Sequence, residues 1–252
     1  MRISGNTILI TGGTSGIGRA LAEAFHQRGN QVIIAGRRRA LLDEVTAANP
    51  GMQGFELDVS DAAAIAPFAA RMRDEFPKLN VLINNAGVAK PQDLTSDTLD
   101  VSISTEIIET NLVGPLHLAA VLMPLLKRKP AATIVVTSSG LAFVPNAKLA
   151  TYSATKAFLH SWVQSLRFQL RDTAIEVLEL IPPYVQTEAL GPQQATDPHA
   201  MPLAPYIAQV MDALEAGNTP SGEILVERVE ELRWAEKNDH YDEVFEASNE
   251  PE

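Results

Sequence analysis

A single doubly wound α/β domain, an open parallel sheet of about seven strands with helices on both faces, is the fold this sequence predicts. Three observations lead there. Short β-rich runs alternate with stretches of helical periodicity along the chain. Those runs are near-continuous Val, Ile and Leu, the pattern of strands buried on both faces. The length, 252 residues, suits one such domain, and no internal repeat, low-complexity tract or linker divides it.

Each element follows from local pattern. Thr7–Thr11 (TILIT) is a strand that runs into glycines. Gly16–Arg28 is a helix, with Ile17, Leu21, Ala24 and Phe25 on one face. Gln31–Ala35 (QVIIA) is a buried strand, and Arg38–Ala48 a helix stopped by Asn49-Pro50-Gly51. Met52–Leu57 is a strand, Asp61–Phe76 a helix ending at Pro77, and Val81–Asn84 a strand. A long helix over about Ser104–Lys127 carries irregularities at Pro115 and Pro124. Thr133–Thr137 (TIVVT) is the fifth strand, Thr151–Asp172 a long helix and Ile175–Leu180 (IEVLEL) the sixth strand. A Pro-rich loop leads to a helix over Leu203–Glu215, then to a seventh strand at Glu223–Val226 and an acidic helical tail.

Composition narrows the function. The net charge of −11 repels phosphate backbones, which argues against a nucleic-acid partner. From Ser221 to Glu252 there are eleven Asp or Glu against three Lys or Arg, so −8 of that charge sits in the tail, as on a solvated helical face. No cysteine is present, which removes disulfides, thiolate metal sites and a cysteine nucleophile and fits a reducing cytoplasm. The first residues lack the apolar core of a signal peptide. The longest near-apolar run, Leu116–Leu126, is shorter than the roughly 20 residues that cross a bilayer. No membrane association is expected. His26, His117, His160, His199 and His240 show no metal-ligand spacing, and no metal site is expected.

The turn after the first strand reads TGGTSGIG, with Gly12, Gly16 and Gly18 just before a helix. Glycines there let the backbone turn sharply and approach a pyrophosphate, whose charge then lies at a helix N-terminus. A purely structural turn would use the same residues. The second strand ends Gly36-Arg37-Arg38-Arg39, where an NAD-binding fold usually places a carboxylate for the ribose 2′-hydroxyl. Gly36 leaves that place without an acid, and cations in a first helical turn are disfavoured unless an anion lies near. A ribose 2′-phosphate fits, so NADP(H) is expected over NAD(H). Solvated arginines are the plainer alternative, above all for Arg38 and Arg39.

Tyr152 and Lys156 stand four residues apart on a helix and share a face. Ser139 follows the fifth strand and Asn84-Asn85-Ala86-Gly87 ends the fourth, so both lie at the edge where doubly wound sheets hold ligands. A phenol, ordinarily near pKa 10, is a poor base at neutral pH; a neighbouring ammonium favours its phenolate. Such a pair can exchange a proton with a carbonyl or alcohol oxygen.

Taken together, TGGTSGIG, Asp58-Val59, NNAG, Asn111, Ser139 and Tyr152 with Lys156 resemble the short-chain dehydrogenases/reductases over about Asn6–Thr187. Within that family the chain resembles the DltE-like oxidoreductases, on ILITGGTSGIG, VIIAGR, LNVLINNAG and IPPYVQTE. The resemblance implies a Rossmann-type, dinucleotide-binding oxidoreductase domain over 1–252, with 184–203 as substrate lid and 227–252 as the acidic tail. It implies that Gly12, Thr14, Ser15, Gly16, Ile17 and Gly18 hold the coenzyme, with Arg37, Arg38, Asp58 and Val59. Asn85, Ala86, Gly87, Pro182, Val185 and Thr187 complete that set. Lys156 would also hold the nicotinamide ribose, Ser139 the substrate oxygen, and Asn111 a water that relays protons through Lys156. The family usually has Pro-Gly after the sixth strand. Here Pro182-Pro183 stands instead, which puts the course of the loop to Val185 and Thr187 in doubt.

The two loops expected over the substrate are apolar: Leu141 and Phe143 in one, Tyr184 and Leu190 in the other. They offer little to an anionic ligand, so a small, neutral, largely apolar carbonyl or alcohol is expected. The same apolar side chains could instead pack beneath the lid. The long helices correspond to those that pair between subunits in this family, which implies a homodimer or homotetramer. The alternative function is a catalytically silent NADP(H) sensor; such proteins often lose the Tyr or the Lys, and both are present here.

Overall fold

The computed structural model describes residues 1–217 and 219–250. The last two residues of the tail expected over 227–252 lie outside the described residues. Seven strands form one parallel sheet: β1 (Thr7–Thr11), β2 (Gln31–Gly36), β3 (Gln53–Glu56), β4 (Val81–Asn84), β5 (Ala132–Thr137), β6 (Ile175–Leu180) and β7 (Glu223–Ile224). Their order is β3-β2-β1-β4-β5-β6-β7, each neighbouring pair parallel. The chain therefore reverses its direction of travel across the sheet between β1 and β4. At such a switch point the loops that follow two adjacent strands diverge and leave a crevice.

Strand alternation sends side chains to two cores. On one face Ile8, Ile10, Ile34 and Leu180 pack against α1 (Gly16–Gln27), α2 (Arg39–Ala48) and α7 (Leu203–Ala216). On the other, Leu9, Ile33, Leu82 and Val136 pack against α3 (Ala62–Glu75), α5 (Gly114–Leu126) and α6 (Ala150–Leu170). Both faces are thus covered, as the unbroken apolar strands require.

Three elements differ from their sequence reading. The helix expected from Ser104 begins three residues earlier, as α4 (Val101–Ile108), capped by Asp100, whose carboxylate accepts from Ser102 N at 2.9 Å. It passes through a π turn, Glu109–Val113, into α5. Proline explains this: Pro115 has no N–H for the carbonyl of Asn111, its i−4 partner, so the ladder is re-spaced ahead of it. This stretch is long and apolar enough to cross a membrane, yet its buried face, with Leu118, Ala119 and Leu122, lies on the sheet. The seventh strand pairs only over Glu223–Ile224. The tail breaks into α8 (Glu230–Trp234) and α9 (Tyr241–Asn249).

The tail is also more than a solvated face. Val229 is fully buried. A Cβ on Gly140 would stand 2.7 Å from Leu232 Cδ1, so α8 packs hard against the turn after β5. Asn249 accepts from Ala147 N at 2.5 Å and donates to the Pro145 carbonyl at 3.1 Å, which fastens α9 to the same loop.

Tyr206 on α7 is fully buried, and its hydroxyl has no hydrogen-bond partner among the described residues. A buried hydroxyl left unpaired costs about 1–3 kcal/mol, so removing it relieves a penalty. Tyr206→Phe should leave stability unchanged or raise it by about 1 kcal/mol in denaturant unfolding. A loss of that size would show that the hydroxyl is satisfied after all.

Candidate active site

The glycine turn is a cradle that side chains would fill. Gly12 and Gly16 have φ of 68° and 52°, a region L residues avoid. A Cβ on Gly18 would lie 2.2 Å from the Gly12 carbonyl oxygen, and one on Gly12 would lie 2.9 Å from Ala86 Cα. The turn thus closes on the loop after β4. That loop is pinned to β1: Thr11 Oγ1 accepts from Asn85 N and Ala86 N, both at 3.1 Å. Gly87 completes it, with Asn111 Oδ1 and Lys156 Nζ the polar atoms nearest a Cβ placed there. Thr187 reaches the turn from the lid, its Cγ2 3.3 Å from a Cβ placed on Gly16. Ile17 packs at the edge of the core, and the Val59 side chain lies within it. These features fit a dinucleotide: bare backbone amides at the N-terminus of α1, in the crevice of the switch point.

At the end of β2, Gly36 keeps the backbone close to Thr14, whose Cγ2 lies 3.2 Å from where a Cβ would be. The three arginines expected near the coenzyme point in different directions. Arg38 is the one that reaches the turn, donating to Ser15 Oγ at 2.8 Å and Thr14 Oγ1 at 3.3 Å. Arg37 leans towards Asp58 at 3.9 Å, and Arg39 pairs with Asp43 at 3.0 Å. Asp58 itself is anchored by Ser60, whose hydroxyl donates to it at 2.7 Å.

The second group converges from α6, β5 and the π turn. Lys156 is 4% exposed, and its Nζ donates to the Thr137 carbonyl at 2.9 Å. One turn earlier on the same face stands Tyr152, its ring centroid 5.4 Å from Lys156 Nζ and its hydroxyl near Ser139. Asn111, 1% exposed, accepts from Val88 N at 2.8 Å and donates to Val88 O at 3.0 Å and Thr155 Oγ1 at 3.1 Å. Its side chain is therefore committed to the β4 loop and α6. Its main-chain carbonyl loses its usual i+4 donor, because Pro115 has no N–H.

One electrostatic expectation is corrected. The Lys156 ammonium was expected to lower the Tyr152 pKa. Instead Nζ sits over the ring, 5.4 Å from its centroid, and burial dominates. Desolvation pushes the phenol up to about 12, opposed by the Ser139 hydrogen bond. Burial also pushes Lys156 down to about 8, opposed by the charge of Glu179. At pH 7 the pair is a protonated phenol beside an ammonium, a state suited to giving a proton rather than taking one.

The residues expected on the substrate wall separate. Leu141 stays partly exposed on the turn after Ser139, and Leu190 is partly buried in the lid, its N–H donating to Gln194 Oε1 at 2.8 Å. Tyr184 is exposed and donates to Asp197 at 2.9 Å. The Phe143 ring packs against the core, with the His160 ring centroid at 4.6 Å and the Arg233 guanidinium at 4.5 Å. The segment that follows Pro182-Pro183 is well anchored. The Pro182 carbonyl accepts from Gly140 N at 2.9 Å, and buried Val185 bridges to Met201.

Sequence reading missed Gln194 and Glu179. Gln194, 5% exposed, bonds Val185 and Leu190 and so holds the loop after β6 together. Glu179 is fully buried beneath the site. The signal for it was a carboxylate inside an otherwise buried strand, which is costly unless something meets its charge. With His160 and Glu223 it brings three potential ligand atoms within 4.8 Å of one another. Arg233 already forks onto both oxygens of Glu223 at 2.8 Å, so the cluster is an ion-pair network.

A family model described as short chain dehydrogenase matches residues 6–198. The chain is 40% identical over 252 residues to an uncharacterized oxidoreductase, DltE, of Bacillus subtilis, covering 99% of this chain and 98% of that one. A short chain dehydrogenase from Burkholderia cenocepacia, solved in complex with NADP, superposes with a TM-score of 0.82 at 25% identity, over 98% of each chain. One from Sphingobium yanoikuyae, in complex with NADPH, gives 0.78 at 25% identity, over 95% of this chain and 94% of that one. Sequence, sheet order and the switch-point cradle agree, and the chain belongs to the short-chain dehydrogenase family.

Proposed function

We propose that this oxidoreductase uses NADP(H) to interconvert a carbonyl and an alcohol on a small, neutral, largely apolar substrate. The observation that carries the reading is the Tyr152–Lys156 pair on one face of α6, with Lys156 Nζ 5.4 Å from the Tyr152 ring centroid and bonded to the Thr137 carbonyl, beside the glycine turn. NADPH, when bound, supplies the hydride that the carbonyl carbon accepts. The rest falls to this chain. Gly12, Gly16 and Gly18 leave room for the pyrophosphate, Arg38 with Thr14 and Ser15 meets the 2′-phosphate, and Lys156 and Thr187 flank the nicotinamide end.

As negative charge builds on the substrate oxygen, Ser139 donates a hydrogen bond to it and Tyr152 gives up its phenolic proton. Lys156 steadies the resulting phenolate, a role its charge gains only once Tyr152 is ionised. The proton is then restored through Lys156 from water held at the Asn111 carbonyl. The lid supports an apolar substrate, because it contains no lysine or arginine from Pro182 to Leu203. Exposed Val121, Phe158 and Phe168 on α5 and α6 support a homodimer or homotetramer. A silent sensor is disfavoured, because every proton-handling residue is present and in reach.

Tyr152→Phe keeps the ring and removes the proton. Turnover in an NADPH-oxidation assay with neutral ketones and aldehydes should fall at least about 10²-fold, with NADPH binding retained. Near-normal turnover would refute the assignment.

Arg38→Ala should weaken NADPH binding about tenfold or more and leave NADH binding unchanged, since a charge-assisted phosphate contact is worth roughly 1.5–3 kcal/mol. Equal losses for both coenzymes would move the phosphate elsewhere.

The pH dependence has a definite sign. Lys156 is charged below about 8 and loses its proton above, so carbonyl reduction should decline as pH rises through that value. Initial rates that stay flat through pH 9, about one unit beyond, would contradict it.

A further inference from the structure

β6 carries a residue that an interior strand does not need. Glu179 is fully buried, and its register partner on β7 is a second buried carboxylate, Glu223. Two acids side by side in a sheet are tolerated as anions only where cations and hydrogen bonds meet them. Glu223 is met by Arg233 from α8, through two bonds of 2.8 Å. Glu179 accepts from Ser138 Oγ at 2.5 Å and lies 2.8 Å from His160 Nδ1. Gln164 in turn bonds the far nitrogen of His160 at 2.6 Å.

This cluster lies directly under the reacting groups. Ser138, bonded to Glu179, sits between Thr137, whose carbonyl holds Lys156, and Ser139, which lies near the Tyr152 hydroxyl. His160 is one helical turn beyond Lys156. The charged and titratable groups around Lys156 and the Glu179 cluster come from four elements. Tyr152, His160 and Arg167 are on α6, Glu179 on β6, Glu223 on β7 and Arg233 on α8. Arg233 takes both oxygens of Glu223. Glu179, bonded by Ser138 and His160, is the carboxylate whose charge acts on the buried Lys156 ammonium.

We propose that Glu179 is a positioning residue, the buried anion that keeps Lys156 in its charged form and so lets it grip the coenzyme through neutral pH. The proposal rests on the coenzyme-holding role given to Lys156 above. Burial alone favours the neutral amine, and Glu179 is the group that opposes it.

The test needs no substrate. NADPH binding is followed by coenzyme fluorescence across the pH range for wild type, Glu179→Gln, Glu179→Asp and Lys156→Ala. Gln keeps the size, can still accept from Ser138 and relieves a like-charge pair, so it should fold, as a circular dichroism melt will verify. Wild-type affinity should fall along an alkaline limb that Lys156→Ala lacks. Glu179→Gln should move that limb down by about one pH unit, while Glu179→Asp, which alters the bonds but keeps the charge, should leave it near the wild-type position. A limb unmoved in Glu179→Gln overturns the proposal. So does a limb moved equally by Asp, which would assign the effect to geometry. A wild-type limb that survives in Lys156→Ala removes the role of Lys156 itself, and the proposal with it.

Discussion

A single contact, from Lys156 Nζ to the carbonyl of Thr137, organises the site. It ties the middle of α6 to the C-terminal end of β5 and fixes which face of the helix meets the sheet edge. With Lys156 held there, Tyr152 falls one turn earlier, over Ser139. A Cβ on Gly87 would stand 3.3 Å from Asn111 Oδ1, a tight contact, with Lys156 Nζ at 3.7 Å. Burying an amine this deeply is unfavourable, and the surrounding polar groups, the carbonyl and the carboxylate beneath it, are what make it tenable.

The sheet order supplies the other half. Because the chain turns back between β1 and β4, the glycine turn and the Asn85–Gly87 loop face each other across the crevice, with Thr11 bonding both of the first two amides of that loop. The glycines are needed for contact between these two loops as much as for a ligand. A Cβ at Gly18 would strike the Gly12 carbonyl. The C-terminal segment then backs the catalytic turn, through Leu232 against Gly140, Arg233 under Phe143 and Asn249 on the loop at Pro145 and Ala147. An acidic tail that reads as a solvated face thereby supports the site.

What the sequence revealed follows from how local each signal is. Buried strands announce themselves by composition, and all seven lie where the Val, Ile and Leu runs or the Glu223 segment placed them. The Tyr152–Lys156 spacing and the glycine turn are equally local. Three features depended on distant partners and were not legible. Arg37 and Arg38 are neighbours in sequence, and only Asp58 and Ser15, far along the chain, separate their directions. Phe143 reads as a cleft residue until Arg233, ninety residues later, is seen against its ring. The Tyr152 pKa was misjudged because spacing gives proximity but not direction: the ammonium lies over the ring rather than at the hydroxyl, so burial prevails.

The claim that the glycine cradle, the arginines of β2 and the Tyr152–Lys156 pair form one coenzyme and reaction site is tested most directly by a crystal structure with NADPH bound. The account predicts the 2′-phosphate between the Arg38 guanidinium and the hydroxyls of Thr14 and Ser15, and the nicotinamide ribose within hydrogen-bond reach of Lys156 Nζ. A coenzyme bound with its 2′-phosphate away from Arg38, or with its nicotinamide end out of reach of Lys156 and Tyr152, would contradict it.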